Sequence, residues 1–353
     1  MRLFGLVGAT VLIVGSAALA QQHTMLLWPG GTPEPSHVTV PEGDATAAEH
    51  HMVAGKPSFR LTNVSEPNMA VYTPPEGKNT GAGALVFPGG GYVRLSMELE
   101  GTEVCQWLNS IGMTCVLVKY RVPEAQHYPE STEDLEDAQQ AMRLTRSHAK
   151  EWGIDPKRIG VIGFSAGAHL AVVLSTHPDF QAKNVPASTV DARPNFQMVM
   201  YPGYTSVPDG SVPASIAPTA AVPPTFLVQA ENDTTAKVES SVFYFMALKN
   251  ATVPAEMHIY AEGGHGFGLR PAAAPISSKW PGLAEEWLHT IHVLAEAGRQ
   301  SLSSRGGVLG FAHRACDQNL FARGSLEDIL WACAVFCGGV FCFVWTGSPL
   351  YGG

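Results

Sequence analysis

Short apolar runs alternate with longer amphipathic segments from Phe59 to Ala297, and this alternation constrains the fold more than any other feature of the chain. Ala84–Phe87, Thr114–Tyr120, Ile159–Phe164, Phe196–Tyr201, Thr225–Ala230 and Ala255–Tyr260 read as strands. Thr114–Tyr120 is apolar nearly throughout, as expected of a strand inside a parallel sheet covered on both faces. Glu98–Ile111, Ser131–Trp152, Ala166–Ser175, Lys237–Lys249 and Lys279–Ala297 read as helices. In the first, Val104, Trp107 and Leu108 share one face at helical spacing. In the second, Ser131 can cap the start, and Glu133 and Asp134 suit the positive end of the helix dipole. The succession predicts an α/β fold with a mostly parallel central sheet and helices on both faces. There is no internal repeat and no coiled-coil heptad.

The 353 residues are 45% hydrophobic and only 15% charged, which supplies a large core and excludes global disorder. The formal net charge of -9 disfavours nucleic acid and anionic membrane surfaces as partners, because both require a basic face, and no nucleic acid is expected. Residues 1–20 carry Arg2, an apolar run from Leu3, and Ala18-Leu19-Ala20 followed by Gln21-Gln22. That is the pattern of a signal peptide cleaved after Ala20, which places the mature protein in the periplasm or outside the cell. An uncleaved membrane anchor is the competing reading.

Residues 21–56, rich in Pro, Gly, His and Thr, read as an extended lead-in, and residues 57–298 as the main domain. The tail, residues 299–353, is anomalous: Ile329–Trp345 is apolar and contains Cys333, Cys337 and Cys342. A membrane anchor, a packed apolar segment and an appendage foreign to the domain all remain open, and membrane contact is expected only of the first. No oligomeric state is implied. Cys105 and Cys115 lie in the main domain, and no paired C-x-x-C indicates zinc. Export permits a disulfide between them, but their apolar contexts read as buried free thiols.

The chemistry centres on Gly163-Phe164-Ser165-Ala166-Gly167, a G-x-S-x-G motif with a strand before it and a helix after it. A serine on so sharp a strand-to-helix turn stands above the sheet edge, beside a helix N-terminus that favours developing negative charge. Side chains at the flanking glycines would clash in that turn. A nucleophilic hydroxyl needs oxyanion donors and a base. Pro88-Gly89-Gly90-Gly91-Tyr92 follows an earlier strand, and its glycines let backbone N–H groups face a ligand. The candidate donors are the amides of Gly90, Gly91 and Ala166.

Of the thirteen histidines, His265 in Gly263-Gly264-His265-Gly266-Phe267-Gly268 sits in a glycine-rich loop just past a strand, free to meet the serine. His169, one helical turn after Ser165, reads as packing, as do His289 and His292. His50-His51 is a remote metal-site candidate, and no metal is expected. Asp233 is the candidate orienting acid, because it lies further out on the loop after Thr225–Ala230 than its competitor Glu231. Asp134 and Asp137 read as a solvated helix face.

These motifs, in this order, resemble the α/β-hydrolase superfamily. More narrowly they resemble the acetyl-xylan-esterase-like carbohydrate esterases related to the BD-FAE and hormone-sensitive-lipase-like groups. The stretches that carry the resemblance include Val86–Tyr92, Glu100-Gly101-Thr102-Glu103, Lys119–Pro123, Asp155–Gly160, Gly163–Ala171 and Gly263–Gly268. The resemblance implies hydrolysis of short acyl esters, acetyl above all, on xylan or other plant saccharides, without a cofactor. Ser165, Asp233 and His265 would form the triad. Pro88 departs from the histidine that opens this loop in many relatives. Tyr204–Pro224 is short and rich in Pro, Ala and Ser, so the expectation is a small, open pocket with no large lid. A general short-chain carboxylesterase, a prolyl-oligopeptidase-type peptidase and a non-catalytic binding protein are the rivals.

Overall fold

Eight strands form the central sheet of the computed structural model, which describes residues 23–34, 36–46, 52–124, 126–270 and 279–295. In chain order they are β1 (His23–Leu26), β2 (Asn68–Tyr72), β3 (Gly83–Phe87), β4 (Thr114–Lys119), β5 (Ile159–Phe164), β6 (Gln197–Met200), β7 (Thr225–Ala230) and β8 (Ala255–Tyr260). Their spatial order is β1-β2-β4-β3-β5-β6-β7-β8. From β4 to β8 every neighbour is parallel, and β1 and β2 add an antiparallel margin. The expected signal peptide, the His50-His51 pair and the tail, residues 299–353, lie outside the described residues.

Side chains alternate across the sheet, and the two faces bury different sets. Leu85, Phe87, Val116, Val161, Val199 and Leu227 point to one face, against helices α2 (Glu133–Ser147), α3 (Ala166–Thr176) and α4 (Val238–Asn250). Ala84, Val86, Leu117, Ile162, Phe164 and Phe226 point to the other, against α1 (Glu103–Ser110) and α5 (Trp280–Thr290). Covering both faces lets consecutive strand residues all be apolar, with each fully buried Val, Leu or Phe contributing about 1.5–3 kcal/mol.

Several expectations need correction. The lead-in is not merely extended: His23–Leu26 pairs with Asn68–Tyr72 as the sheet edge, and Trp28 donates to Asp137 Oδ1 at 2.7 Å. Helix α2 begins at Glu133, not Ser131, and Thr132 in the cap position donates its hydroxyl to Glu136 and accepts no backbone N–H. Its end at Ser147 and the end of α5 at Thr290 fall short of the predicted limits, which leaves His292 beyond the helix at positive φ. Glu98–Ile111 divides into a π turn, Glu98–Thr102, and α1.

Asp134 and Asp137 form no solvated face, since both are fully buried. Asp137 accepts from the Arg121 amide at 2.9 Å and from its guanidinium Nε at 3.0 Å, and Glu136 accepts from Nη2 at 3.2 Å. The chain after β4 delivers Arg121 to this helix face, so Asp137 and Glu136 pair internally. Cys105 and Cys115 are joined in a disulfide rather than left as free thiols. Their apolar contexts reflect burial, while the α1–β4 connection brings their Cα atoms to 5.2 Å.

Candidate active site

The strand order gathers three loops at the carboxyl ends of β5, β7 and β8, the place where open α/β sheets bind ligands. Ser165 stands between β5 and α3 with φ 52° and ψ -115°, a conformation that L-residues adopt only under local constraint. A Cβ at Gly163 would run into the Gly167 carbonyl, and one at Gly167 into the Phe87 carbonyl. The glycines flanking the serine are therefore required by close backbone approach.

Ser165 Oγ lies 2.8 Å from His265 Nε2, and His265 Nδ1 lies 2.7 Å from Asp233 Oδ2. With the Asp233 carboxylate as acceptor, the ring proton sits on Nδ1 and Nε2 is free to accept from the serine hydroxyl. Asp233 is buried, and its other oxygen accepts the amides of Thr235 at 2.8 Å and Ala236 at 2.9 Å. Glu231, the competitor, is exposed to solvent. Among the described residues, no protein acceptor engages the amides of Gly90, Gly91 or Ala166, whereas that of Gly89 is taken by Glu100 Oε2 at 2.8 Å. Of the six residues singled out from the sequence, Gly90, Gly91, Ser165 and His265 line one cleft, with Asp233 and Ala166 buried beside them.

The cleft has a volume of about 1040 Å³, at the upper end of small-molecule sites rather than the small pocket expected. It extends past the serine because one wall comes from Gly203–Gly210 and the start of α4, and another from Val93 and Arg94. Tyr204, 44% exposed and held at φ 58°, presents its ring on the first wall, backed by His127 at 4.3 Å and Tyr92 at 5.8 Å between ring centroids.

Other residues that shape the site carried no motif. Asn232 Oδ1 accepts the Gly264 amide at 2.8 Å and so ties the histidine loop to the aspartate loop. Glu100 also accepts the Tyr201 hydroxyl at 2.9 Å, and Tyr201 stands edge-on to the His265 ring at 5.2 Å. Burial pushes the Glu100 carboxyl above the ordinary range, while the hydrogen bonds from Tyr201 and Gly89 oppose that shift. The only sequence signal for Glu100 was its membership of the Glu100–Glu103 stretch.

His169 packs against the loop of residues 88–92, its Nδ1 2.8 Å from the Tyr92 hydroxyl. Burial, aided by the nearby charge of His127, pushes its pKa down to about 3. The unfolded chain binds this proton near pH 6.5, so between pH 6.5 and about 3 the unfolded state holds more protons. The contribution is complete above 6.5 and is lost as pH falls through that window. His169→Gln should therefore flatten the acid limb of melting temperature against pH. An acid limb of unchanged slope would contradict this.

The BD-FAE family model matches residues 69–200. An acetylxylan esterase of Xylanibacter ruminicola is 31% identical over 241 residues, which cover 61% of this chain and 47% of the relative. Endo-1,4-beta-xylanase B of Butyrivibrio fibrisolvens is 28% identical, over 56% of this chain and 34% of that protein. The chain thus spans about half the length of the first relative and about a third of the second. Among solved structures, an acetyl ester-xyloside bifunctional hydrolase from Caldicellulosiruptor lactoaceticus superposes with TM-score 0.59 at 30% identity, covering 79% of this chain and 100% of the other.

Proposed function

The chain belongs to the acetyl-xylan-esterase-like α/β-hydrolases, and on that premise we propose that it is an exported serine esterase removing short acyl groups, acetyl above all, from xylan or other plant-derived saccharides. The observation that carries this reading is the unbroken chain Ser165–His265–Asp233, at 2.8 Å and 2.7 Å, opening into the cleft.

In this reading His265 Nε2 takes the Ser165 proton as Oγ attacks the ester carbonyl. The amides of Gly90, Gly91 and Ala166 receive the oxyanion. The imidazolium, stabilised by buried Asp233, gives its proton to the departing alcohol. Water, deprotonated by the same imidazole, then attacks the acyl-serine and releases the acid. No cofactor enters any of these steps. The volume of the cleft and the exposed ring of Tyr204 support a bulky alcohol such as a saccharide. Export rests on the Arg2 to Ala20 pattern and is supported by the buried Cys105–Cys115 disulfide, a bond that persists in oxidising compartments.

The test is hydrolysis of 4-nitrophenyl acetate, butyrate and octanoate, together with acetate release from acetylated xylan, with Ser165→Ala alongside. The expected result is acetate turnover well above octanoate, with serine-dependent acetate release from xylan. Serine-dependent activity on the nitrophenyl esters alone would reduce the reading to a general short-chain carboxylesterase. No serine-dependent activity from folded protein would sink it.

A further inference from the structure

The buried carboxyl of Glu100 and the phenol of Tyr201 link two loops that must stay aligned over Ser165, and neither has a part in the steps above. Glu100 is 4% exposed. Its Oε2 accepts the Gly89 amide at 2.8 Å, at the root of the loop that carries the candidate oxyanion donors. Its Oε1 accepts the Tyr201 hydroxyl at 2.9 Å, and that hydroxyl oxygen accepts the Gly268 amide at 3.2 Å, at the far end of the histidine loop. The path Gly89–Glu100–Tyr201–Gly268 therefore connects the chain after β3 to the chain after β8. It passes close to the nucleophile: a Cβ at Gly89 would lie 2.7 Å from Glu100 Oε2 and 2.9 Å from Ser165 Cβ.

Two local features point the same way. Glu100 is delivered by a π turn, Glu98–Thr102, a rare geometry that recurs at functional sites. Tyr201 holds a positive φ of 38°, a strained conformation for a residue with a bulky side chain. Burying a carboxyl beside a sheet edge costs free energy that an apolar side chain would avoid. Its hydrogen-bonding geometry is the compensating use.

We propose that Glu100, acting through Tyr201, is a positioning residue that holds the Gly90 and Gly91 amides and the His265 loop in register over Ser165. The inference rests on the serine-esterase reading and adds to it the device that aligns its parts. A displacement near 1 Å at a reacting centre costs on the order of 10²-fold in rate. Uniform binding of substrate need not change, so the loss should fall on kcat.

The test uses the full chain, with kcat and KM for 4-nitrophenyl acetate and melting temperatures for Glu100→Leu, Glu100→Gln, Tyr201→Phe and the Glu100→Leu/Tyr201→Phe double variant. Glu100→Leu should lose on the order of 10²-fold in kcat with KM within about threefold. Glu100→Gln should recover to within about tenfold of the parent, because its amide oxygen can accept from Gly89 and its NH₂ can donate to the Tyr201 oxygen. Tyr201→Phe keeps the ring against His265, so it reads the hydroxyl without emptying the site. Its loss, about tenfold, should not add to that of Glu100→Leu, since both break one path. A purely structural role would lower melting temperature and leave kcat per folded molecule unchanged, which would overturn the inference. Equal losses in the Gln and Leu variants would also overturn it, by placing the carboxyl in the chemistry itself. In either case turnover would still depend on Ser165, whereas failure of the esterase reading would remove that dependence.

Discussion

Ser165→Ala is expected to leave the fold intact and lower kcat for 4-nitrophenyl acetate by on the order of 10⁵–10⁶. The alanine Cβ occupies the place of the serine Cβ, so the turn between β5 and α3 and its close glycine contacts are retained. What disappears is the oxygen 2.8 Å from His265 Nε2, the atom proposed to form the acyl intermediate through that imidazole. The proposed oxyanion amides and the cleft remain, so a residual acceleration of roughly 10³–10⁴ over the uncatalysed reaction should persist. Pre-steady-state measurement adds a second readout: a burst of nitrophenol in the parent and none in the variant. A variant that keeps a tenth of parental turnover would remove Ser165 from the nucleophile's role.

Asp233→Asn should cost on the order of 10⁴ in kcat with little change in KM. The physical argument turns on which atoms asparagine can replace. Asp233 Oδ1 accepts the amides of Thr235 and Ala236, and an asparagine carbonyl oxygen can do the same, so the loop stays in place. The asparagine NH₂ then takes the position of Oδ2, 2.7 Å from His265 Nδ1. Two donors cannot face each other, so the imidazole must carry its proton on Nε2, where it can no longer accept from Ser165. The imidazolium formed during attack also loses its buried counter-charge. Glu231→Gln provides the contrast: its side chain is solvent-exposed, and its rate should stay within about twofold of the parent. Comparable losses at both positions would mean that the acid had been misassigned.

The parts of the site read from the sequence share one property: their chemistry is local. A strand, a serine between two glycines and a helix specify the turn at Ser165 wherever the chain goes next. Asp233 and His265 were legible for the same reason, since each lies a few residues past a strand and the parallel sheet aligns strand ends. Six strands and five helices were recognisable from apolar runs and helical spacing, with ends shifted by a few residues where caps and turns decide them.

What the sequence by itself determined is therefore the α/β class, the strand that bears the serine, and the residues able to meet it. Tertiary structure alone decided the rest. His23–Leu26 and Asn68–Tyr72, which carry only short apolar runs, became strands because the sheet margin offered them partners. Asp134 and Asp137 look solvated by composition and are buried, Asp137 because Arg121 and Trp28 arrive from elsewhere in the chain. Cys105 and Cys115 are joined because α1 folds back along β4. Glu100, ordinary in sequence, gains its position from contacts to Gly89 and to Tyr201, a residue 101 positions away. In each case burial and pairing depend on neighbours distant along the chain, and the energy of a buried polar group is set by those neighbours rather than by its own identity.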